Sequence, residues 1–132
     1  MKKLIIISIA ISFLVFGCLG PKVSPNAVKL GVDFNFDPSH KCSSTSPEIR
    51  VSNIPPGTKK FSVTLVDHDV PTWNHGGGTV ANDGSGVIPE GALKGYNGPC
   101  PPTGSHRYEF SVKAIDAQGV VIGMGEKAQQ YP

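Results

Sequence analysis

Three stretches of this chain alternate apolar and polar residues with a period of two, and no stretch of comparable length repeats with the period of a helix. Val28, Leu30, Val32, Phe34 and Phe36 alternate with Lys29, Gly31, Asp33 and Asn35. Phe61, Val63 and Leu65 alternate with Ser62 and Thr64, and Tyr108, Phe110, Val112 and Ala114 with Arg107, Glu109, Ser111 and Lys113. Successive side chains of a strand point to opposite faces, so each pattern predicts a strand with one face on a core and one on water. Shorter strands are expected at 48–52 and 119–123, the latter after a hairpin turn at Asp116-Ala117-Gln118-Gly119. Sixteen glycines and twelve prolines fit an all-β, loop-rich domain, a compact β-sandwich. The tail from Gly125 to Pro132 has room for one helical turn at most.

The N-terminus has a different character. Lys2 and Lys3 precede an apolar run from Leu4 to Phe16 that only Ser8 and Ser12 interrupt. That run is shorter than the roughly 20 residues a membrane-spanning helix needs, and it fits the core of a signal peptide. It ends in Val15-Phe16-Gly17-Cys18, which resembles the lipobox of bacterial lipoproteins, whose cysteine is acylated and becomes the mature N-terminus. The expected organisation is a signal peptide at 1–17, an acylated terminus and tether at 18–26, and one folded domain at 27–132. Lys2 and Lys3 account for the whole formal charge of +2, so the remainder is balanced. It has no basic stripe with interleaved aromatics, which argues against a nucleic-acid partner. The expected location is the cell envelope, with a lipid anchor in a membrane.

Two cysteines remain once Cys18 is assigned to lipid. In an oxidising compartment Cys42 and Cys100 are expected to form a disulfide. In the chain-entropy account, closing a loop of that length stabilises a fold by about 4 kcal/mol. Free thiols are the alternative, and no CxxC zinc spacing is present.

Residues with chemistry gather at two strand ends. Asp67-His68-Asp69-Val70-Pro71 closes one strand, and Gly98-Pro99-Cys100-Pro101-Pro102-Thr103-Gly104-Ser105-His106-Arg107-Tyr108 leads into another. In extended backbone Asp67 and Asp69 point the same way, so both carboxylates could face one pocket. Alone, the segment also reads as a turn whose aspartates accept its own amides. Trp73, expected to be partly buried, and His75 precede Gly76-Gly77-Gly78. Together Asp67, His75, His106 and Tyr108 offer a carboxylate, two imidazoles and a phenol from three regions of the chain.

These segments resemble the phosphatidylethanolamine-binding protein (PEBP) family, also called Raf kinase inhibitor-like. The family's DPDxP segment is matched by Asp67-His68-Asp69-Val70-Pro71 with His68 for proline, and its histidine near a tryptophan by His75 and Trp73. Its GPxPP…GxHRY segment is matched by Gly98 to Pro102, Gly104 and His106-Arg107-Tyr108. Ser46-Pro47-Glu48 and Pro56-Gly57-Thr58-Lys59 fit as well, and the likeness covers roughly 33–116. It implies a PEBP-like β-sandwich, shortened, with little or no C-terminal helix and a small pocket for phosphate-like anions. By that likeness Asp67, His75, Gly98, Pro99, His106 and Tyr108 line the pocket. The two imidazoles and the Tyr108 hydroxyl would donate to the anion, backbone amides near Gly98 would add to them, and Asp67 would hold an imidazole. Arg107 falls on the other face of its strand, as a structural ion-pair residue. Only Thr72 to Asn74 separate the first motif from His75, a shorter excursion than is common in the family, which implies a more open or shallower pocket.

The function expected is a non-catalytic, envelope-anchored module for a small anionic or phosphorylated ligand, with no cofactor. A protein-interaction or inhibitor module at the envelope is the alternative. A hydrolase using His106 is a further one, against which stands the absence of a GxSxG elbow or an HExxH motif. A metal held by His68, His75 and His106 is the last.

Overall fold

A computed structural model describes residues 20–132, so the signal segment and Cys18 lie outside the described residues. Nine strands follow one another: β1 (Val23–Lys29), β2 (Gly31–Phe34), β3 (Ile49–Ser52), β4 (Lys60–Asp67), β5 (Gly76–Ala81), β6 (Val87–Ile88), β7 (Gly95–Tyr96), β8 (His106–Ile115) and β9 (Val121–Tyr131). Among the described residues the only helical element is a 3-10 turn at Pro38–His40. The strands form a six-stranded sheet, β1-β9-β8-β4-β5-β7, and a three-stranded sheet, β2-β3-β6. The pairing of β1 with β9 is parallel and every other pairing is antiparallel.

The alternating residues do what their period requires. Phe61, Val63 and Leu65 of β4 and Tyr108, Phe110, Val112 and Ala114 of β8 are all buried. Between the sheets, the rings of Phe34 and Phe110 meet edge to face with centroids 4.8 Å apart. Phe36 lies 5.1 Å from Tyr131. Burying each such side chain is worth about 1.5–3 kcal/mol in water-exclusion terms, which gives this small domain most of its driving force.

Three expectations need correction. The pattern from Val28 to Phe36 is not one strand. The chain leaves the large sheet at Leu30 and enters the small one at Gly31, while Leu30, Phe34 and Phe36 stay buried. Period two reports a buried face and is silent on which partner each half pairs with. The segment expected to be a tether is partly sheet, since β1 begins at Val23 and the Val121 amide donates to the Lys22 carbonyl. Finally, the strand expected at 119–123 begins at Val121 and runs on through Tyr131, so the tail is strand with no helical turn. Its polar residues Glu126, Lys127, Gln129 and Gln130 hid the alternation; Tyr131 is buried and its hydroxyl donates to the Asp37 carbonyl at 2.7 Å.

The hairpin expected at Asp116–Gly119 is present, with the Gly119 amide donating to the Asp116 carbonyl. The triple glycine forms β5 at close quarters with its neighbours. A Cβ on Gly77, whose φ is 152°, would fall 1.9 Å from the Val63 carbonyl oxygen of β4. One on Gly76, at φ 66°, would fall 1.9 Å from the Gly95 carbonyl oxygen. Only glycine lets β5 wedge between β4 and β7, and that placement brings His75 to the sheet end where β4 stops.

Candidate functional site

Strands β5, β4 and β8 are neighbours, and their ends at one edge of the large sheet carry the chemistry. The β4–β8 ladder puts Asp67 directly opposite Tyr108, and His106 lies two residues earlier along β8. His75 immediately precedes β5 on the other side of β4. Register alone therefore assembles a carboxylate, a phenol and two imidazoles from three chain segments.

Asp67 is the centre of this arrangement and is buried. Its Oδ1 accepts the amides of Asp69 at 2.9 Å and Val70 at 3.1 Å, which turns the chain after β4. Its Oδ2 lies 2.7 Å from His106 Nδ1 and 3.8 Å from His75 Nε2. Burial pushes the Asp67 carboxyl up. The hydrogen bonds from His106 and the two amides outweigh that and hold it below the ordinary carboxylate value. His75, also buried, donates from Nδ1 to the Asn97 carbonyl at 2.8 Å. Each ring is thus oriented through Nδ1, and Nε2 is the atom left for anything else.

Tyr108 is fully buried, and its ring meets His75 edge to face at 5.3 Å. Burial, and then the Asp67 charge, push its hydroxyl up to about 12, so the phenol keeps its proton across the physiological range. Its hydroxyl faces the Asp67 carboxylate and the Cys100 amide. Tyr108 thus lines the cavity beside Asp67 as a protonated phenol.

A cavity of about 400 Å³ opens beside these groups. Asp67, His75, His106 and Tyr108 line it, and Val70, Trp73, Pro101, Pro102 and Cys100 form its apolar walls. Two expected residues do not line it. The Gly98 amide donates to the Ser43 carbonyl at 2.8 Å, so that amide is spent within the protein. Pro99 is buried, and its carbonyl accepts the Cys42 amide at 2.7 Å. Both shape the loop instead: a Cβ on Gly98 would fall 2.6 Å from the Ser43 carbonyl oxygen.

The expected disulfide joins Cys42 to Cys100 and staples the proline-rich wall to the loop after the 3-10 turn. Trp73 is 65% exposed, which overturns its expected role in packing and leaves it at the cavity rim. Arg107 makes no ion pair among the described residues; its amide donates to Asp69 Oδ2 at 2.7 Å and its carbonyl accepts the His68 amide at 2.9 Å. Asp69 therefore ties the two strand ends together, whereas Asp67 alone of the pair lines the cavity. Asp67, Asp69 and His106 place ligand atoms within 4.8 Å of one another, but each is already hydrogen-bonded to the protein. The alternative of a metal held by His68, His75 and His106 finds no such cluster among the described residues, and His68 lies 3.2 Å from Glu109. Sequence reasoning passed over Val70, Pro101 and Pro102 as lining, although the prolines beside Cys100 were a signal for a rigid wall.

The profile described as phosphatidylethanolamine-binding protein matches residues 22–82 and, overlapping them, 74–131. The chain belongs to the phosphatidylethanolamine-binding protein family. Among individual PEBP relatives, the UPF0098 protein YbcL of Escherichia coli is 31% identical over 157 aligned positions, covering 91% of this chain and 83% of that protein. The alignment has more positions than this chain has residues, so the relative carries insertions that this chain lacks. The E. coli protein YbhB is 35% identical over 105 positions, covering 61% of this chain and 65% of its own length. Among solved structures, E. coli YbcL, described as a new member of the mammalian PEBP family, superposes with a TM-score of 0.58 at 25% identity, covering 77% of this chain and 97% of that one. A PEBP homologue of Chlamydia trachomatis gives 0.60 at 23% identity over 81% and 98% of the two chains, a likeness of fold. Family membership supports a ligand-binding module with a PEBP-like, nearly all-strand fold.

Proposed function

We propose that this PEBP-family chain binds a small phosphorylated or otherwise anionic ligand at the cavity between His75 and His106, without chemical turnover, and that it does so at the cell envelope. The observation that carries the reading is the shared orientation of the two imidazoles. Each is fixed through Nδ1, by Asn97 and by Asp67, and each lines one cavity with Nε2 unspent. In protonated form the two rings offer two charge-assisted donors to one anion. No Lys or Arg lines the cavity, and its walls are apolar, which supports a ligand with an anionic head and an apolar or compact remainder.

The non-catalytic part of the reading rests on Ser105. Its hydroxyl accepts Gln130 Nε2 at 3.0 Å, and the residue does not line the cavity although it is adjacent to His106 in sequence. Isothermal calorimetry with inorganic phosphate and phosphorylethanolamine tests the binding. Saturable heat with the wild type and its loss in His106→Ala is expected; no heat at millimolar ligand would overturn the reading. The envelope anchor rests on Cys18, and labelled palmitate incorporated by the wild type but not by Cys18→Ser is the expected result.

A protein partner at the envelope is the second reading. Trp73 and Val70 are both exposed at the cavity rim, 65% and 39%, where a partner could bury them. Pull-down from envelope extract, competed by phosphorylethanolamine, separates the two.

A further inference from the structure

A second cavity of about 470 Å³ opens beside the small sheet, and His40 is its one buried imidazole. His40 ends the 3-10 turn and completes its capping box: the Asp37 amide donates to His40 Nδ1 at 3.0 Å, and Asp37 Oδ1 accepts the Ser39 amide. Asp37 Oδ1 is also 3.3 Å from that Nδ1, but the amide hydrogen points at the ring nitrogen and decides the tautomer. With Nδ1 accepting, the ring proton sits on Nε2. His40 is only 2% exposed, and its Nε2 has no hydrogen-bond partner among the described residues. The nearest carboxylate oxygen on that side, Glu90 Oε2, is 3.8 Å away, beyond hydrogen-bond reach.

The charges around that proton are unequal. Lys127 is bonded to Asp33, and Arg50 to Glu48 at 2.6 Å, so the two cations of the cavity are neutralised. Asp37 and Glu90 remain, with no Lys or Arg bonded to either among the described residues. The Ser39 hydroxyl and amide hold the Asp37 carboxyl below the ordinary value, so it stays charged at neutral pH. A buried donor thus faces the cavity beside two uncompensated carboxylates.

We propose that this cavity is a second ligand site, which takes a hydroxylated amine: a hydroxyl accepts from His40 Nε2–H and donates to Glu90, and a neighbouring ammonium meets the carboxylates of Glu90 and Asp37. A hydroxyl is a group that can accept and donate at once. A divalent metal does not fit the same atoms. It would need the Nε2 lone pair, which moves the proton to Nδ1 and against the Asp37 amide hydrogen. An anion does not fit either, because the free charge is negative.

Histidine-ring NMR on the full chain tests the proposal, with glucosamine for an amino sugar and 1-amino-2-propanol for a small amino alcohol. Glucose and methylammonium supply the hydroxyl and the cation separately. The expected result is a saturable shift of the His40 ring with one or both hydroxylated amines, about tenfold weaker in Glu90→Gln. The His106 ring, read in the same spectra, stays in place. Glu90 is exposed, so its substitution leaves the fold intact, which the spectrum itself reports. The proposal is overturned if neither amine shifts His40, if glucose or methylammonium binds as well, if Glu90→Gln leaves affinity unchanged, or if zinc shifts the His40 ring at stoichiometric amounts.

Discussion

Asp67 and His106 meet across the β4–β8 ladder with Oδ2 and Nδ1 2.7 Å apart, while the other oxygen of the same carboxylate holds the turn that follows β4. One buried side chain therefore sets both the orientation of an imidazole and the path of a loop. Asp67→Asn keeps the shape and loses the charge-assisted bonds. The expected cost is about 1.5–3 kcal/mol in urea unfolding at pH 7. The pH dependence has a definite sign. A carboxyl whose folded value is depressed contributes stability that is present above its unfolded value, near 3.9, and is lost as pH falls through the folded value. Wild type loses this contribution in acid, whereas Asp67→Asn has a flatter acid limb; identical limbs would show that Asp67 is not the titrating group.

Tyr108 works at the other end of the pH scale. Its folded value is raised to about 12 by burial and by Asp67, so the stability it contributes is complete below its unfolded value near 10. That stability is lost as pH rises from about 10 through 12. Tyr108→Phe is expected to reduce the alkaline loss of stability between those values. Buried Tyr96 and Tyr131, also raised, keep the remainder. Denaturant melts at pH 9 and pH 11 compare the two proteins.

The disulfide spans 58 positions of sequence and carries one wall of the cavity between His75 and His106. Its loss in Cys42→Ser/Cys100→Ser is expected to destabilise the fold by about 4 kcal/mol. Because Cys100 and the prolines after it line that cavity, affinity for phosphate should weaken as well. Calorimetry on the double variant at low temperature, where it remains folded, reads the second effect separately from the first.

Gly77 is the position where β5 touches β4 most closely. Gly77→Ala puts a methyl group 1.9 Å from the Val63 carbonyl oxygen and forces a residue with φ of 152° out of its conformation. The loss should exceed 3 kcal/mol, roughly the scale of overpacking plus backbone strain. Gly84, with open space around its Cβ position, is the control and should lose about 1 kcal/mol from its positive φ alone.

Much of this was legible in the sequence for a physical reason. Alternation at 61–65 and 108–114 fixed which residues are buried, and the proline-stiffened entry to β8 marked where His106 would stand. Sheet membership was hidden, because the same alternation serves either sheet and Leu30 is buried at the switch between them. Strand β9 was hidden because Glu126, Lys127, Gln129 and Gln130 are polar, although Lys127 and Gln129 reach across to Asp33 and the Phe36 amide. Gly98 and Pro99 were assigned to the pocket through resemblance; hydrogen bonding of the Gly98 amide to Ser43 and of the Pro99 carbonyl to Cys42 assigns them to the loop. Nothing in the sequence marked His40, whose role depends on a capping box that only the folded turn creates.

The claim that His75 and His106 share one anion can be read directly from their rings. In a phosphorylethanolamine titration followed by histidine-ring NMR, the account predicts that the Nε2 signals of both shift together along one binding curve, and that His106→Ala abolishes the His75 shift. Shifts on separate curves, or a His75 shift that survives His106→Ala, would contradict it.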